Sequence, residues 1–214
     1  MNYELLQPWS TFVMKTQLPS EVLQKMLKIT DEIVEKNPAE NMGSGEMKEQ
    51  FPIDLKILEK EEVMVYFLQV CKQYVLLAFS QAQPENKENI LKEEWLTRMT
   101  LMWINSQRDN DFFPLHAHSN CQLSSVLYLK IPEYLSTHNP YTNAGAIEFT
   151  GNASRNQTFL GRGTLEVRPQ VGDFFIFTAD QQHCVYPFRT QGEKGERRSI
   201  SFNAQFTTMK KDKI

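Results

Sequence analysis

The chain has 214 residues, of which 41% are hydrophobic and 23% charged, so it can bury a sizeable core as one globular domain. It has 23 Lys and Arg residues and 26 Asp and Glu residues, so its net charge is −3. This charge makes a nucleic-acid partner unexpected. No signal peptide and no apolar run of bilayer length is recognisable, so no membrane partner is expected. The three cysteines are far apart, which favours a reducing, cytoplasmic location over a disulfide framework.

The first half of the chain has the pattern of helices joined by loops. After an extended lead-in over residues 1–18, Pro19-Ser20-Glu21 predicts a helix with Ser20 as its N-cap. Asn37-Pro38 predicts the end of that helix. A second amphipathic helix is predicted from about Leu58 to Phe79, because its apolar side chains recur at helical spacing. The polar segments beside it are predicted to be loops: residues 38–54 and 83–87.

From residue 96 the hydrophobic pattern changes to the alternation that is typical of strands. About eight strands are predicted: Thr97–Asn105, Phe113–His116, Leu123–Ile131, Ala146–Thr150, Thr164–Arg168, Asp173–Thr178, Cys184–Phe188 and Arg197–Phe206. Most are joined by short links, as in a sandwich or jelly roll, and the two helices can cover one face of a sheet. We therefore expect a single α+β domain over residues 1–214, with helical support in 1–95 and a jelly-roll core in 96–208.

Two connections in the predicted β half are long, residues 132–144 and 151–163. Long loops on a rigid β scaffold often carry binding functions. They can equally be ordinary surface loops, and the sequence leaves both alternatives open.

Two of the four histidines lie one residue apart, at His116 and His118. Residues i and i+2 of an extended chain point to the same side, so both imidazoles can approach one point. Imidazole is a common ligand of transition metals, and His183 is the natural third ligand. His118 has a second interpretation, in which it lines the pocket without binding metal. No carboxylate alternative is evident.

The last predicted strand, Arg197–Phe206, carries a row of polar residues in an apolar setting. Strand alternation places Arg197, Ser199 and Ser201 on one face, and Arg198 with Ile200 on the other. The polar row predicts a polar cavity inside the barrel. The planar, always-charged guanidinium of Arg197 suits a carboxylate ligand.

Taken together, these motifs resemble the Fe(II)/2-oxoglutarate-dependent oxygenases, and most closely their prolyl-hydroxylase-like branch with its bacterial and phage members. The resemblance covers residues 97–206. It rests on His-x-His, the distal His183 and three strand motifs: Ser124-Ser125-Val126-Leu127-Tyr128-Leu129, Gly145-Ala146-Ile147-Glu148-Phe149 and Arg197-Arg198-Ser199-Ile200-Ser201-Phe202-Asn203. The fold that it implies is a double-stranded β-helix, or jelly roll, with supporting N-terminal helices.

The resemblance also implies roles for individual residues. His116 and His183 match two iron ligands, and His118 stands where the wider superfamily has Asp or Glu. Arg197 matches the arginine that pairs with the distal carboxylate of 2-oxoglutarate. The remaining residues implied at the cosubstrate are Ser199, Tyr128 and, as a weaker candidate for lining the pocket, Asn105. Leu127, Phe175 and Phe177 are candidates for apolar walls that exclude water.

The implied reaction uses Fe(II), 2-oxoglutarate and O₂, with ascorbate as a supporting reductant, and releases succinate and CO₂ as a substrate C–H bond is hydroxylated. The substrate expected from the resemblance is a peptidyl, prolyl-like residue or a small molecule. Two alternatives stay open, a non-catalytic cupin-like metal- or ligand-binding module and a three-histidine metalloenzyme that does not use 2-oxoglutarate. The sequence also leaves the oligomeric state open, a homodimer included.

Overall fold

The computed structural model describes residues 12–37, 49–135, 143–151 and 163–208. Within these residues there are four α-helices: α1 (Ser20–Lys36), α2 (Leu55–Lys60), α3 (Met64–Ala82) and α4 (Lys87–Lys92). The strands are β1 (Val13–Gln17), β2 (Gln50–Pro52), β3 (Trp95–Gln107), β4 (Phe113–His116), β5 (Leu123–Lys130), β6 (Ile147–Thr150), β7 (Thr164–Val167), β8 (Asp173–Thr178), β9 (His183–Val185) and β10 (Arg197–Thr208). None of the described helices is long and apolar enough to span a bilayer.

The strands form two antiparallel sheets. The larger has the order β1-β8-β5-β10-β3-β2 and the smaller has the order β4-β9-β6-β7. A buried apolar cluster contains side chains from both sheets, among them Phe175 of β8 and Phe149 of β6, whose ring centroids are 6.0 Å apart. The sheets therefore pack face to face, which confirms the predicted α+β jelly roll.

The outer face of the larger sheet is covered by the helices. Phe67 of α3 is fully buried, and its ring meets Phe174 of β8 and Phe202 of β10 edge to face, with centroids 5.9 and 5.7 Å apart. The same core contains Met26 of α1 and Leu58 of α2, both with no exposed area. Burying such side chains contributes roughly 1.5–3 kcal/mol each, so this core holds the helical layer against the sheet.

Two predictions about the helices are wrong in detail. Pro19, not Ser20, occupies the N-cap of α1, and its carbonyl accepts a 2.9 Å hydrogen bond from the Leu23 N–H. The predicted helix from Leu58 to Phe79 is two helices, because the chain turns after Lys60. Glu62 adopts a left-handed φ of 59° there, and the Val63 N–H reaches back 2.9 Å to the Leu58 carbonyl.

Short elements lie where loops were predicted. Strand β2 falls within residues 38–54, and helix α4 extends from the polar segment 83–87. Strand β9 ends at Val185, earlier than predicted, whereas β3 is longer at both ends. The long connections 132–144 and 151–163 lie mostly outside the described residues, so their binding role stays a prediction.

Candidate active site

Three imidazoles meet at one end of the smaller sheet. His116 ends β4 and His183 begins β9, and the two are direct partners across this antiparallel pair. Their ring centroids are 4.3 Å apart, and each is 5.3 Å from the ring of His118. One ligand nitrogen from each ring lies within 4.8 Å of the others. Strand pairing thus gathers residues that are distant in sequence into a potential metal site.

Backbone carbonyls fix the orientation of two of these rings. The Nδ1 of His116 lies 2.7 Å from the Pro114 carbonyl, and the Nδ1 of His183 lies 2.9 Å from the Gln181 carbonyl. Because a carbonyl only accepts, each Nδ1 is the donor of its hydrogen bond, which leaves Nε2 as the nitrogen that can face a metal. This arrangement is common among metal-binding histidines.

Burial favours the neutral imidazoles that bind metal. Desolvation, helped by the neighbouring His116, lowers the pKa of His118 to about 4. The same two causes lower the pKa of His183 to about 3, against the opposing effect of its hydrogen bond to Gln181. Both rings are therefore uncharged near neutral pH, when a metal ion can use their lone pairs.

Nearby carboxylates are engaged elsewhere. Asp109 accepts hydrogen bonds of 2.8 and 2.7 Å from the Thr190 N–H and hydroxyl, and Asp111 accepts one of 2.8 Å from the Arg108 N–H. Within the described residues, the three histidines are the one group of His, Cys, Asp or Glu whose ligand atoms are close enough for metal. The described chain therefore offers three imidazoles where two imidazoles and a carboxylate would be usual.

An interior cavity extends from the histidines between the two sheets. Its wall on the larger sheet consists of inward-facing residues that pair across β5, β10 and β3 in three successive rungs: Val126, Ser201 and Trp103; Tyr128, Ser199 and Asn105; Arg197 and Gln107. The Trp103 ring lies 6.0 Å from His118, so the first rung is at the histidine end. The rung of Arg197 is at the far end.

Arg197 is a buried cation at this far end, with 1% of its surface exposed. It donates hydrogen bonds to the Gly145 carbonyl and, at 3.5 Å, to the Tyr128 hydroxyl, and its guanidinium lies 5.1 Å from the centre of the Tyr128 ring. Its Nε has no partner, and no carboxylate of the described residues pairs with it. An unpaired buried charge is costly, so the guanidinium suits an anionic ligand.

The three residues of the middle rung, Tyr128, Ser199 and Asn105, are polar and buried. Burial raises the pKa of Tyr128 to about 12 despite the adjacent Arg197, so its hydroxyl keeps a proton to donate. The Asn105 amide donates to the Ser201 hydroxyl at 3.2 Å and accepts from Gln50 at 2.8 Å. Ser199 is 3% exposed and lines the cavity beside them.

The structure brings together the seven residues expected from the sequence: His116, His118, His183, Arg197, Ser199, Tyr128 and Asn105. The prediction that Leu127 forms a cavity wall is wrong, because strand alternation turns it into the helix-facing core, and Val126 takes its place. Phe175 and Phe177 pack in the cluster between the sheets. Sequence reasoning missed Trp103 and Gln107, which the alternation from Asn105 could have identified.

Residues 101–203 match a family model described as "Putative 2OG-Fe(II) oxygenase", which covers the strands of both sheets from within β3 to β10. No curated protein sequence matches the chain.

Solved structures share the fold at low sequence identity. A 2OG-Fe(II) oxygenase family oxidoreductase from Burkholderia pseudomallei is 15% identical, with a TM-score of 0.52, and the match covers 89% of this chain and 84% of that one. The non-heme alpha-ketoglutarate-dependent epimerase SnoN from nogalamycin biosynthesis is 11% identical, with a TM-score of 0.56 and coverages of 90% and 77%. HygX from Streptomyces hygroscopicus, solved with nickel, 2-oxoglutarate and hygromycin B, is 11% identical, with a TM-score of 0.51 and coverages of 91% and 82%.

At these identities the structural likeness shows a common fold, the double-stranded β-helix. The family model adds a match in sequence over the strands that carry the three histidines and Arg197. Residues 101–203, which contain the three histidines and Arg197, match in sequence the 2OG-Fe(II) oxygenases, enzymes whose metal is Fe(II) and whose cosubstrate is 2-oxoglutarate.

Proposed function

We propose that this chain is a hydroxylase that holds Fe(II) with His116, His118 and His183 and binds the distal carboxylate of 2-oxoglutarate with Arg197. One observation carries the proposal. A single interior cavity has three imidazoles at one end and, at the other, a buried guanidinium that pairs with no carboxylate of the described residues. The imidazole end suits a metal ion, and the guanidinium end suits a carboxylate of 2-oxoglutarate.

The residues present fit both groups. Three nitrogen ligands leave open positions on a transition metal, and the hydrogen bonds of His116 and His183 direct Nε2 toward it. The unpartnered Nε of Arg197 shows that its hydrogen-bonding capacity is not used up within the described residues. When bound, Fe(II), 2-oxoglutarate and O₂ supply the oxidising power for a C–H bond and release succinate and CO₂, with ascorbate as supporting reductant.

The protein's own contribution is positioning and exclusion of water. Arg197 fixes the distal carboxylate through its planar fork, and the protonated Tyr128 hydroxyl donates to the same group. Ser199 and Asn105 line the middle of the cavity between this carboxylate and the metal. Apolar side chains complete the walls, including Phe113, Val126, Ile147 and Val185, and limit access of water to the oxidant.

His118 changes the charge of the site. An imidazole in place of a carboxylate keeps the number of ligands and removes one negative charge. A more positive metal centre attracts the dianionic cosubstrate more strongly. His118 is held where it can serve as a ligand, because its backbone N–H donates a 2.8 Å hydrogen bond to the Ala179 carbonyl.

The substrate class that we propose is a peptidyl, prolyl-like residue or a small molecule. HygX, which shares the fold, was solved with the small molecule hygromycin B, so this scaffold accommodates such ligands. The residues that recognise the substrate are expected around the histidine end of the cavity, where the oxidised C–H bond must approach the metal.

The proposed function is tested by succinate formation. Purified protein is supplied with Fe(II), 2-oxoglutarate, ascorbate and air, and succinate is measured for the parent, His183→Ala and Arg198→Ala. We expect succinate from the parent and from Arg198→Ala, and none above background from His183→Ala. A metal-loaded parent that binds 2-oxoglutarate without forming succinate would indicate a non-catalytic binding module. A parent that binds metal and no 2-oxoglutarate would indicate a different three-histidine metalloenzyme.

A further inference from the structure

Gln107, the last residue of β3, is a buried amide without a hydrogen-bond partner among the described residues. It has no exposed area and lines the cavity. Neither its Nε2 nor its Oε1 forms a hydrogen bond with any of the described residues. Leaving a buried polar group unpaired is costly, so two such atoms on one side chain call for an explanation.

The position of Gln107 identifies the part of the cavity that it serves. In the pairing of β3 with β10, Gln107 is the direct partner of Arg197. Directly opposite residues of an antiparallel pair have their Cβ atoms about 5 Å apart, so amide and guanidinium are neighbours. Arg197 Nε, at the same rung, is a third buried atom that has no partner in the described part of the chain. Trp103, which lies against His118, is four residues away along β3, so Gln107 is remote from the histidines.

We propose that Gln107 is a specificity-determining residue for 2-oxoglutarate, donating from Nε2 to the distal carboxylate that Arg197 binds. This inference rests on the proposed function and adds a residue to it. A carboxylate accepts up to about four hydrogen bonds, so it can take donors from both side chains. The Oε1 of Gln107 is then free to accept the Nε–H of Arg197, which satisfies all three atoms and orients the guanidinium.

The charge at this rung supports a carboxylate over a neutral ligand. Arg197 supplies a full positive charge, and a neutral amide beside it adds a donor without adding a competing anion. A glutamate at position 107 would pair with Arg197 itself and close the site. The neutral amide therefore keeps the arginine available for the dicarboxylate.

The test compares two ligands that differ in one group. 2-Oxopentanoate has the 2-oxo acid end of 2-oxoglutarate and lacks the distal carboxylate. The affinities of both are measured by calorimetry in Mn(II)-loaded protein, for the parent, Gln107→Met, Gln107→Glu and the control Gln205→Met. Gln205 lies on β10, partly exposed, with its amide engaged by Arg98 and the Asn120 carbonyl.

We expect Gln107→Met to weaken 2-oxoglutarate by about tenfold to a hundredfold, as for loss of a hydrogen bond to a charged group, and to leave 2-oxopentanoate unchanged. Gln107→Glu should weaken 2-oxoglutarate further, because its carboxylate competes for Arg197. Gln205→Met should bind both ligands as the parent does. Mn(II) affinity and thermal unfolding of each variant confirm that metal site and fold persist.

Equal effects on both ligands, or no effect on 2-oxoglutarate in either Gln107 variant, would overturn the role of Gln107 and leave the proposed function standing. If Gln107→Met fails to fold, Gln107→Leu, which also lacks the amide donor, is compared in its place with the same two ligands and the same expected result. A metal-loaded parent that binds no 2-oxoglutarate would overturn the proposed function itself, and the role of Gln107 with it.

Discussion

Two buried arginines, adjacent in sequence on β10, have opposite environments. Arg198 faces the helices, where its guanidinium lies 2.6 Å from both Asp31 of α1 and Glu196, and donates to the Thr30 hydroxyl at 3.3 Å. Arg197 faces the cavity, where the described residues offer it a carbonyl and a tyrosine hydroxyl and no carboxylate. The first arginine joins a helix to the sheet. The second is the one that we propose to pair with the carboxylate of a ligand.

The same contrast extends along the strand. On the helix side of β10, Ile200 and Phe202 have no exposed area and pack into an apolar core. On the cavity side, Ser199 and Ser201 are buried as well, yet they present hydroxyl groups. Buried polar groups contribute little net stability unless fully paired, whereas apolar packing stabilises directly. One face of the strand thus packs into the core, and the other lines the cavity for which we propose a binding role.

The largest effect is expected on metal binding, from substitution of the histidines at one end of the cavity. His116→Ala and His183→Ala each remove one of three ligands, and we expect both variants to lose stoichiometric metal while the fold persists. Elemental analysis after loading with Fe(II) or Mn(II) and desalting is the measurement. Arg198→Ala, altered on the helix face, should retain one metal per chain. Full retention of metal by both histidine variants would end the assignment of the site.

A smaller effect, on stability alone, is expected from the helix face. Arg198→Ala removes the arginine from the part-buried Glu196, which keeps the Ser106 hydroxyl at 3.0 Å and Lys130 at 3.8 Å. It also removes the arginine from Asp31, which keeps Lys130 and is itself 54% exposed and therefore screened by solvent. We expect the free energy of unfolding in denaturant to fall by about 1–3 kcal/mol. Unchanged stability would mean that the helix is held by apolar packing alone.

His118, the candidate third metal ligand, can be tested separately from the other two histidines. If His118 binds the metal, His118→Ala should weaken Fe(II) by at least about tenfold, no less than the loss of a supporting residue around a metal site. His118→Asp should bind Fe(II) nearly as the parent does, because it restores two histidines and a carboxylate. Anaerobic titration with a competing chelator measures these affinities. Equal affinity in all three proteins would show that His118 only lines the pocket.

The smallest effect is expected on the stability of the ligand-free protein when Arg197 is replaced. Arg197→Met breaks no ion pair with the described residues and keeps an unbranched side chain of similar length. We expect its free energy of unfolding to change by less than about 1 kcal/mol, set against the larger loss in Arg198→Ala. A loss of similar size in both variants would contradict the division between the two faces.

Strand periodicity predicted most of the strands in the second half of the chain and the face of β10 on which each side chain lies. Alternation alone placed Arg197 and Ser199 together and Arg198 on the opposite face, because side-chain direction in a strand repeats every two residues. The prediction that His183 joins His116 rested on the need for a further metal ligand and on the resemblance to a known family, not on strand periodicity. Pairing between distant strands leaves no local signal in sequence.

Two features that were not predicted, the turn at Glu62 and the burial of Gln107, depend on packing between distant parts of the chain. Glu62 breaks the predicted helix with a left-handed φ of 59°, a conformation that is usually signalled by Gly or Asn. Gln107 has the appearance of a polar residue at a strand end, and it is buried because β10 and the smaller sheet enclose it. Alternation from Asn105 gives the face on which Gln107 lies, but its burial and the turn at Glu62 depend on contacts with distant residues.

The most direct test of the central claim is the affinity of Mn(II)-loaded protein for 2-oxoglutarate, measured by calorimetry in the parent, Arg197→Ala and Arg198→Ala. Removing one partner of a buried charge pair costs roughly 3–5 kcal/mol, so Arg197→Ala should weaken binding by about two orders of magnitude or more. Arg197→Lys should restore only part of it, since a point charge lacks the bidentate fork. Arg198→Ala should bind as the parent does. Larger damage from Arg198→Ala than from Arg197→Ala, or no binding by the metal-loaded parent, would contradict the account.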